Sequence, residues 1–157
     1  LKGVDFISFF DILRDYNLPN DAFIVELTES GYLESNELVN NAWKGLKNNG
    51  FGIAIDDFGT GYSNYGYMRD KIFDIVKVDR SFITDIDKQR NNYLMVSFII
   101  KMAHEMGLHV CIEGVETKEE LSCVKKLGAD YIQGYYYGKP VCLQDFEEQH
   151  LKRFVLG

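Results

Sequence analysis

Apolar and polar positions alternate along this chain in two rhythms. Short apolar runs rich in β-branched and aromatic residues occur at FIVEL (23–27), FGIAIDD (51–57), DIVKVD (74–79), LHVCIEG (108–114) and YIQGYYY (131–137). Runs of this length, largely apolar and closed by polar or loop residues, predict the buried strands of a parallel sheet. Between them, apolar residues recur at helical spacing. Segment 35–49 begins with a Ser35 cap, sets Leu38, Ala42, Leu46, Val39 and Trp43 on one face, and stops before Gly50. Segment 92–106 carries Leu94, Phe98, Ile99 and Met102 and stops at Gly107, and segment 117–127 opens on Thr117 and Glu120 in capping-box spacing and ends at Gly128.

Strand, loop and helix therefore recur, with strand starts 23 to 34 residues apart. That is the rhythm of βα units, and the fold class is α/β. A closed eight-stranded barrel takes about 250 residues, so the expectation is an incomplete TIM-barrel-like array of about five parallel strands with flanking helices. The 157 residues, 46% of them hydrophobic, suffice for one domain with a core, and two prolines and no low-complexity tract leave no linker. No apolar run reaches the roughly 18 residues of a membrane span. A net charge of −7 argues against binding a nucleic acid polymer, and a phosphate ligand would need metal ions or a local cation. Cys111, Cys123 and Cys142 are odd in number and lack zinc spacing, which fits reduced thiols in a cytoplasmic protein. The start at Leu1, with neither Met nor signal peptide, points to a piece of something longer.

Charge changes the picture at the strand ends. Glu26, the adjacent pair Asp56 and Asp57, Lys77, Asp79, Glu113, Glu116 and Gln133 all stand in or just after apolar runs. In a barrel, the C-terminal strand ends share one rim, and chemistry sits there. Oxygen ligands without His or Cys suit Mg2+ or Mn2+ rather than zinc, and two such ions form a clamp for displacement at phosphorus. Lys77, between Val76 and Val78, would be a fixed cation for a water or a phosphate oxygen. Plainer readings stand beside these. Glu26 alone reads equally as a solvated strand residue, and Asp79 equally as a cap for the turn that follows; a plain turn at Asp56, Asp57, Gly59 and Gly61, or a snorkelling Lys77, is the lesser alternative at those positions. Gln133 and Glu29 are weak signals singly, and Glu29 fits a hydrogen bond to the neighbouring loop. Tyr135, Tyr136 and Tyr137 read as packing rather than as a nucleotide platform, and His104, His109 and His150 as structural or solvated.

The motifs VELTES, DDFGTGYSN, FDIVKVDRSFI, IEGVET and QGYYYGKP, in this order between about Ala22 and Pro140, resemble the successive signatures of the EAL domain. That resemblance implies a modified TIM barrel with an antiparallel first strand. It implies metal-dependent hydrolysis of cyclic di-GMP to linear pGpG in bacterial signalling, with Mg2+ or Mn2+ as cofactor. Metal ligands then fall on Glu26, Asp56, Asp57 and Glu113, with Gln133 in the metal-water network and Lys77 assisting the water. Glu116 matches the second acid of EGVE. Glu29 matches the glutamate that holds the loop starting at Asp57, and Gly59, Thr60, Gly61, Tyr62 and Ser63 fall in that loop, implicated in metal binding and dimer formation. Asn64 and Tyr65 stand where the family often has Ser and Leu.

The family's Glu-Ala-Leu motif, its nearby Arg and a ligating Asn do not occur in residues 1–157. The expectation is therefore the C-terminal two-thirds of an EAL domain, from a parent phosphodiesterase. The alternatives are a receptor that holds the dinucleotide uncut and a dimerising structural fragment. The 157-residue piece by itself is expected to be inactive, lacking two ligands, and to form a homodimer through its open strand edges.

Overall fold

The computed structural model describes residues 6–33, 37–60 and 72–148. Helix α1 (Phe6–Asp15) leads to strand β1 (Ile24–Thr28), the short helix α2 (Glu29–Leu33) and helix α3 (Glu37–Asn48). Strands β2 (Gly52–Phe58) and β3 (Ile75–Val78) follow, then a 3-10 turn at Arg80–Phe82 and helix α4 (Arg90–Glu105). Strand β4 (His109–Ile112), helix α5 (Lys118–Leu127), strand β5 (Tyr131–Ile132) and the short helix α6 (Leu143–Phe146) follow, and a second 3-10 turn at Asn20–Ala22 precedes β1. The five strands form one parallel sheet in the order β1-β2-β3-β4-β5.

Strand alternation sorts the side chains onto two faces. Ile53, Ile55, Val76, Val78, Val110 and Ile112 are fully buried and pack, in one cluster, with Trp43 and Leu46 of α3, Val96, Ile100 and Ala103 of α4, and Leu121 and Val124 of α5. The opposite face carries Ile24, Glu26, Ala54, Ile75, Lys77, Cys111, Tyr131 and Gln133 around a cleft of about 180 Å³. This division explains the near-continuous apolar runs: in β3 every residue is buried, one set against helices and the other inside the cleft.

Thr117 and Glu120 form the expected capping box of α5, and Gly128 ends that helix in the left-handed conformation. The Ser35 cap lies outside the described residues. One expected element is corrected. The run 131–137 is a strand only at Tyr131 and Ile132; from Gly134 the chain turns, with the Tyr137 N–H donating to the Gly134 carbonyl. The three tyrosines are also not packed inside, since Tyr135, Tyr136 and Tyr137 are 52%, 40% and 56% exposed. Aromatic composition signalled a strand there, but the Tyr136 N–H donates to the Val115 carbonyl and the Tyr137 N–H to that of Gly134, bonds of a turn packed on the 113–117 loop rather than of a ladder.

Two aspartates at the opposite, N-terminal end of the sheet do work that periodicity does not reveal. Asp74, just before β3, accepts the Ile53 N–H of β2 at 2.9 Å and pairs with Lys47 of α3. Asp130, just before β5, accepts the Val110 N–H of β4 at 2.7 Å and also meets His104 at 2.8 Å. Each ties the start of one strand to the start of its neighbour. His104 is thereby structural, as the sequence led one to expect, and His150 lies outside the described residues.

Candidate active site at the strand ends

The cluster at the C-terminal strand ends begins with a register shift. Ile55 stands opposite Val76 and Phe58 opposite Val78, so three steps along β2 match two along β3. The extra residue is a β-bulge at Asp56–Asp57, where Asp57 adopts a left-handed φ of 57°. Asp tolerates that conformation better than most residues. Two adjacent carboxylates can therefore serve one rim, although regular alternation would send them to opposite faces.

Lys77 is the centre of the cluster. Its side chain is 6% exposed, and its Nζ donates to Glu26 Oε2 at 2.7 Å, Glu113 Oε1 at 2.8 Å and Asp56 Oδ1 at 3.1 Å. The three acids come from β1, from β2 and from the loop after β4, where the Glu113 N–H donates to the Val78 carbonyl. Burial works against the ammonium charge, but its hydrogen bonds to Glu113, Glu26 and Asp56 outweigh it and hold the Lys77 pKa above the ordinary lysine value. Burial likewise raises the pKa of Glu113. Asp57 is raised too, by burial and then by repulsion from Asp56 and Asp79. Glu26, read equally as a solvated strand residue, is half exposed and yet engaged with Lys77. Gln133 follows β5 and lines the same cleft as Glu26 and Lys77. Cys111, another lining residue, is unpaired, and burial followed by the Glu113 charge pushes its thiol up to about 11.

The turn after Asp57 is held from behind. Glu29 is 3% exposed; its Oε2 accepts the Gly59 N–H at 3.1 Å, while Oε1 has no hydrogen-bond partner among the described residues. Gly59 has φ of 90°, and a Cβ there would lie 3.2 Å from the Phe82 ring. Thr60 closes the turn by donating its hydroxyl to the Asp57 carbonyl at 2.8 Å. Gly61, Tyr62, Ser63, Asn64 and Tyr65 lie outside the described residues.

Glu116 and Asp79 take other partners. Asp79 caps the 3-10 turn, accepting the Ser81 N–H at 2.9 Å, as the capping reading expects. Glu116 pairs with Arg80 at 2.9 Å. Sequence reasoning missed Arg80, because a basic residue after a strand carries no pattern of its own. It also recognised Glu120 only as a cap, whereas this buried carboxylate accepts N–H groups from Glu116 (2.9 Å), Thr117 (3.0 Å) and, across loops, Asp85 (3.2 Å).

Burial opposes ionisation of Glu120, but the Glu116, Thr117 and Asp85 N–H groups lower its pKa below the usual glutamate value. A lowered carboxylate pKa contributes stability that is present above the unfolded pKa and lost as pH falls through the folded one. Glu120→Gln removes that contribution. The urea midpoint of the variant is expected to fall less steeply than that of the wild type between about pH 5 and pH 3; equal slopes would remove Glu120 from the account.

A rim of acids around a lysine, at the C-terminal ends of parallel strands wrapped by helices, defines an α/β barrel-type protein with an oxygen-rich polar site. The EAL domain family model matches residues 1–140, and the chain belongs to that family. It is 36% identical over 132 residues to the probable cyclic di-GMP phosphodiesterase PdeG of Escherichia coli K12, covering 84% of this chain and 25% of PdeG. Among solved structures, the EAL enzyme Bd1971 in its cAMP and cyclic-di-GMP bound form superposes with a TM-score of 0.84 at 34% identity, covering 92% of this chain and 38% of the other. The EAL domain of Mycobacterium smegmatis DcpA superposes at 0.83 with 31% identity, covering 92% and 65%. The manganese and cyclic di-GMP complex of Klebsiella pneumoniae BlrP1 at pH 9.0 superposes at 0.80 with 28% identity, covering 88% and 36%. The chain spans only 16% and 17% of the length of relatives such as y4lL of Sinorhizobium fredii and YkoW of Bacillus subtilis. No helix among the described residues is long and apolar enough to cross a membrane.

Proposed function

We propose that this chain supplies strand-end acids and Lys77 to a metal-dependent phosphodiesterase that hydrolyses cyclic di-GMP to linear pGpG. The observation that carries this reading is the convergence of Glu26, Asp56 and Glu113, from three separate segments, on one buried ammonium. PdeG's name and the cyclic di-GMP bound to Bd1971 and BlrP1 support the substrate.

The donor chemistry fits a hard divalent cation, Mg2+ or Mn2+, because the set is all oxygen and two of its acids, Asp57 and Glu113, are held above their usual pKa by burial. As they stand, no three acid, His or Cys side chains among the described residues enclose a metal position, since the carboxylates close on Lys77 instead. Glu26, Asp56, Asp57 and Glu113 are the residues that would hold the cation, with Gln133 beside them. Such a cation, when bound, lowers the pKa of a coordinated water and offsets charge developing on the phosphate. The remaining chemistry belongs to the chain. Lys77 positions carboxylates and presents positive charge to the anionic phosphodiester, and Glu29 keeps the Asp57 turn in place through Gly59. Glu116 takes part from the loop after β4 through its pair with Arg80.

The 65% coverage of the DcpA domain, with no Glu-Ala-Leu motif in residues 1–157, supports reading this chain as the C-terminal two-thirds of an EAL domain; the proposed parent is a cytoplasmic, homodimeric protein. The test is conversion of cyclic di-GMP to pGpG by the gene product that carries this chain, with Mg2+ or Mn2+. Turnover is expected, abolished by chelation and lowered ~100-fold or more by Asp56→Asn; binding without cleavage would favour a receptor instead. The 157-residue chain assayed in parallel is expected to be inactive and to sediment as a dimer.

A further inference from the structure

Arg80 and the loop at 113–117 are built around each other in a way that the proposed site does not by itself require. Gly114 has φ of 70°, and a Cβ placed on it would lie 2.5 Å from Arg80 Cγ and 2.6 Å from Arg80 Cβ. The aliphatic part of the arginine therefore crosses the loop where a side chain is missing. Its guanidinium then reaches Glu116 Oε1 at 2.9 Å on the far side. The start of the crossing is fixed as well, because Asp79 caps the turn that begins at Arg80. On its other flank the loop is held by Val115, whose N–H donates to the Gln133 carbonyl and whose carbonyl accepts the Tyr136 N–H. Glu113, the first residue of this loop, sends its carboxylate to Lys77.

We propose that Arg80 is a positioning residue for the proposed hydrolysis: by clamping Glu116 across Gly114, it sets the loop that aims Glu113 into the site. The inference rests on the phosphodiesterase reading. The ion pair itself is 56% and 37% exposed at its two side chains, and such pairs contribute little to folding. A clamp of this kind separates stability from catalysis, since a small misplacement of a catalytic group costs far more in rate than the pair contributes to stability.

In the gene product carrying this chain, Arg80→Ala is expected to lower kcat by about 10-fold or more, with KM for cyclic di-GMP changed less than about 3-fold. The thermal midpoint is expected to stay within about 2 °C of the wild type. The charge-reversed pair, Arg80→Glu with Glu116→Arg, is expected to recover part of the rate that either single reversal loses. An unchanged kcat in Arg80→Ala, a kcat loss matched by a fall in thermal midpoint, or no recovery in the reversed pair would each overturn the proposal. Should the wild-type protein show no hydrolysis, the phosphodiesterase reading fails instead. The clamp is then judged by amide hydrogen exchange at 114–116, faster in Arg80→Ala if the clamp holds and unchanged if it does not.

Discussion

Lys77→Met lowers the folded stability by about 3 kcal/mol, read as a fall in urea midpoint at neutral pH. Three carboxylates face the Lys77 ammonium, and removing it leaves Glu26, Asp56 and Glu113 repelling one another around an apolar methionine. Breaking a buried pair by deleting one partner costs more than the pair itself contributes, because the other charge stays unsatisfied. Glu26, half exposed, can turn to water and so limits the loss. Because the folded pKa of Lys77 is raised, its contribution is whole below the ordinary lysine pKa and fades only as pH rises through the folded value. Neutral and mildly alkaline buffers should therefore report the same loss. Adding Mn2+ to the Met variant is expected to restore part of the midpoint, as a divalent cation takes over the neutralisation. A variant as stable as the wild type in the presence of a chelator would show that the acids do not depend on the lysine.

Gly134→Ala is expected to cost about 3 kcal/mol or more. A Cβ at residue 134 would sit 2.8 Å from the Val115 carbonyl carbon and closer still to its oxygen and nitrogen. Those are backbone atoms, which cannot swing aside as a side chain end would. The turn after β5 would have to withdraw from the 113–117 loop, straining or breaking the Val115–Gln133 and Tyr136–Val115 hydrogen bonds. Overpacking of this kind typically costs about 1–3 kcal/mol, and each lost hydrogen bond roughly 1 more. Chemical denaturation measures it; a cost within about 0.5 kcal/mol of zero would mean the two segments separate freely.

What was legible in the sequence follows from how local each signal is. The strands from β1 to β4 and helices α3, α4 and α5 were readable because apolar spacing and Gly stops act within a few residues. Glu26, Asp56, Lys77 and Glu113 were readable as a set because strand ends in a parallel array share a rim, and they do meet. The Asp56–Asp57 bulge was not, since a register shift is a property of two strands and neither shows it alone. Arg80, Gly114 and Gly134 were missed for the same reason: their meaning lies in a close approach between segments distant in sequence. Tyr135, Tyr136 and Tyr137 misled because aromatic content marks a strand and an exposed turn alike.

The strict β1-β2-β3-β4-β5 order bears on how the chain is made. Each strand pairs with the one synthesised just before it, so the sheet can lengthen one unit at a time as the chain leaves the ribosome. Lys77 meets Glu26 and Asp56 as soon as β3 docks, and Glu113 arrives 36 residues later to complete the set. In an order of growth that follows the sheet, the buried ammonium has two counter-charges already translated before it, and only Glu113 comes after.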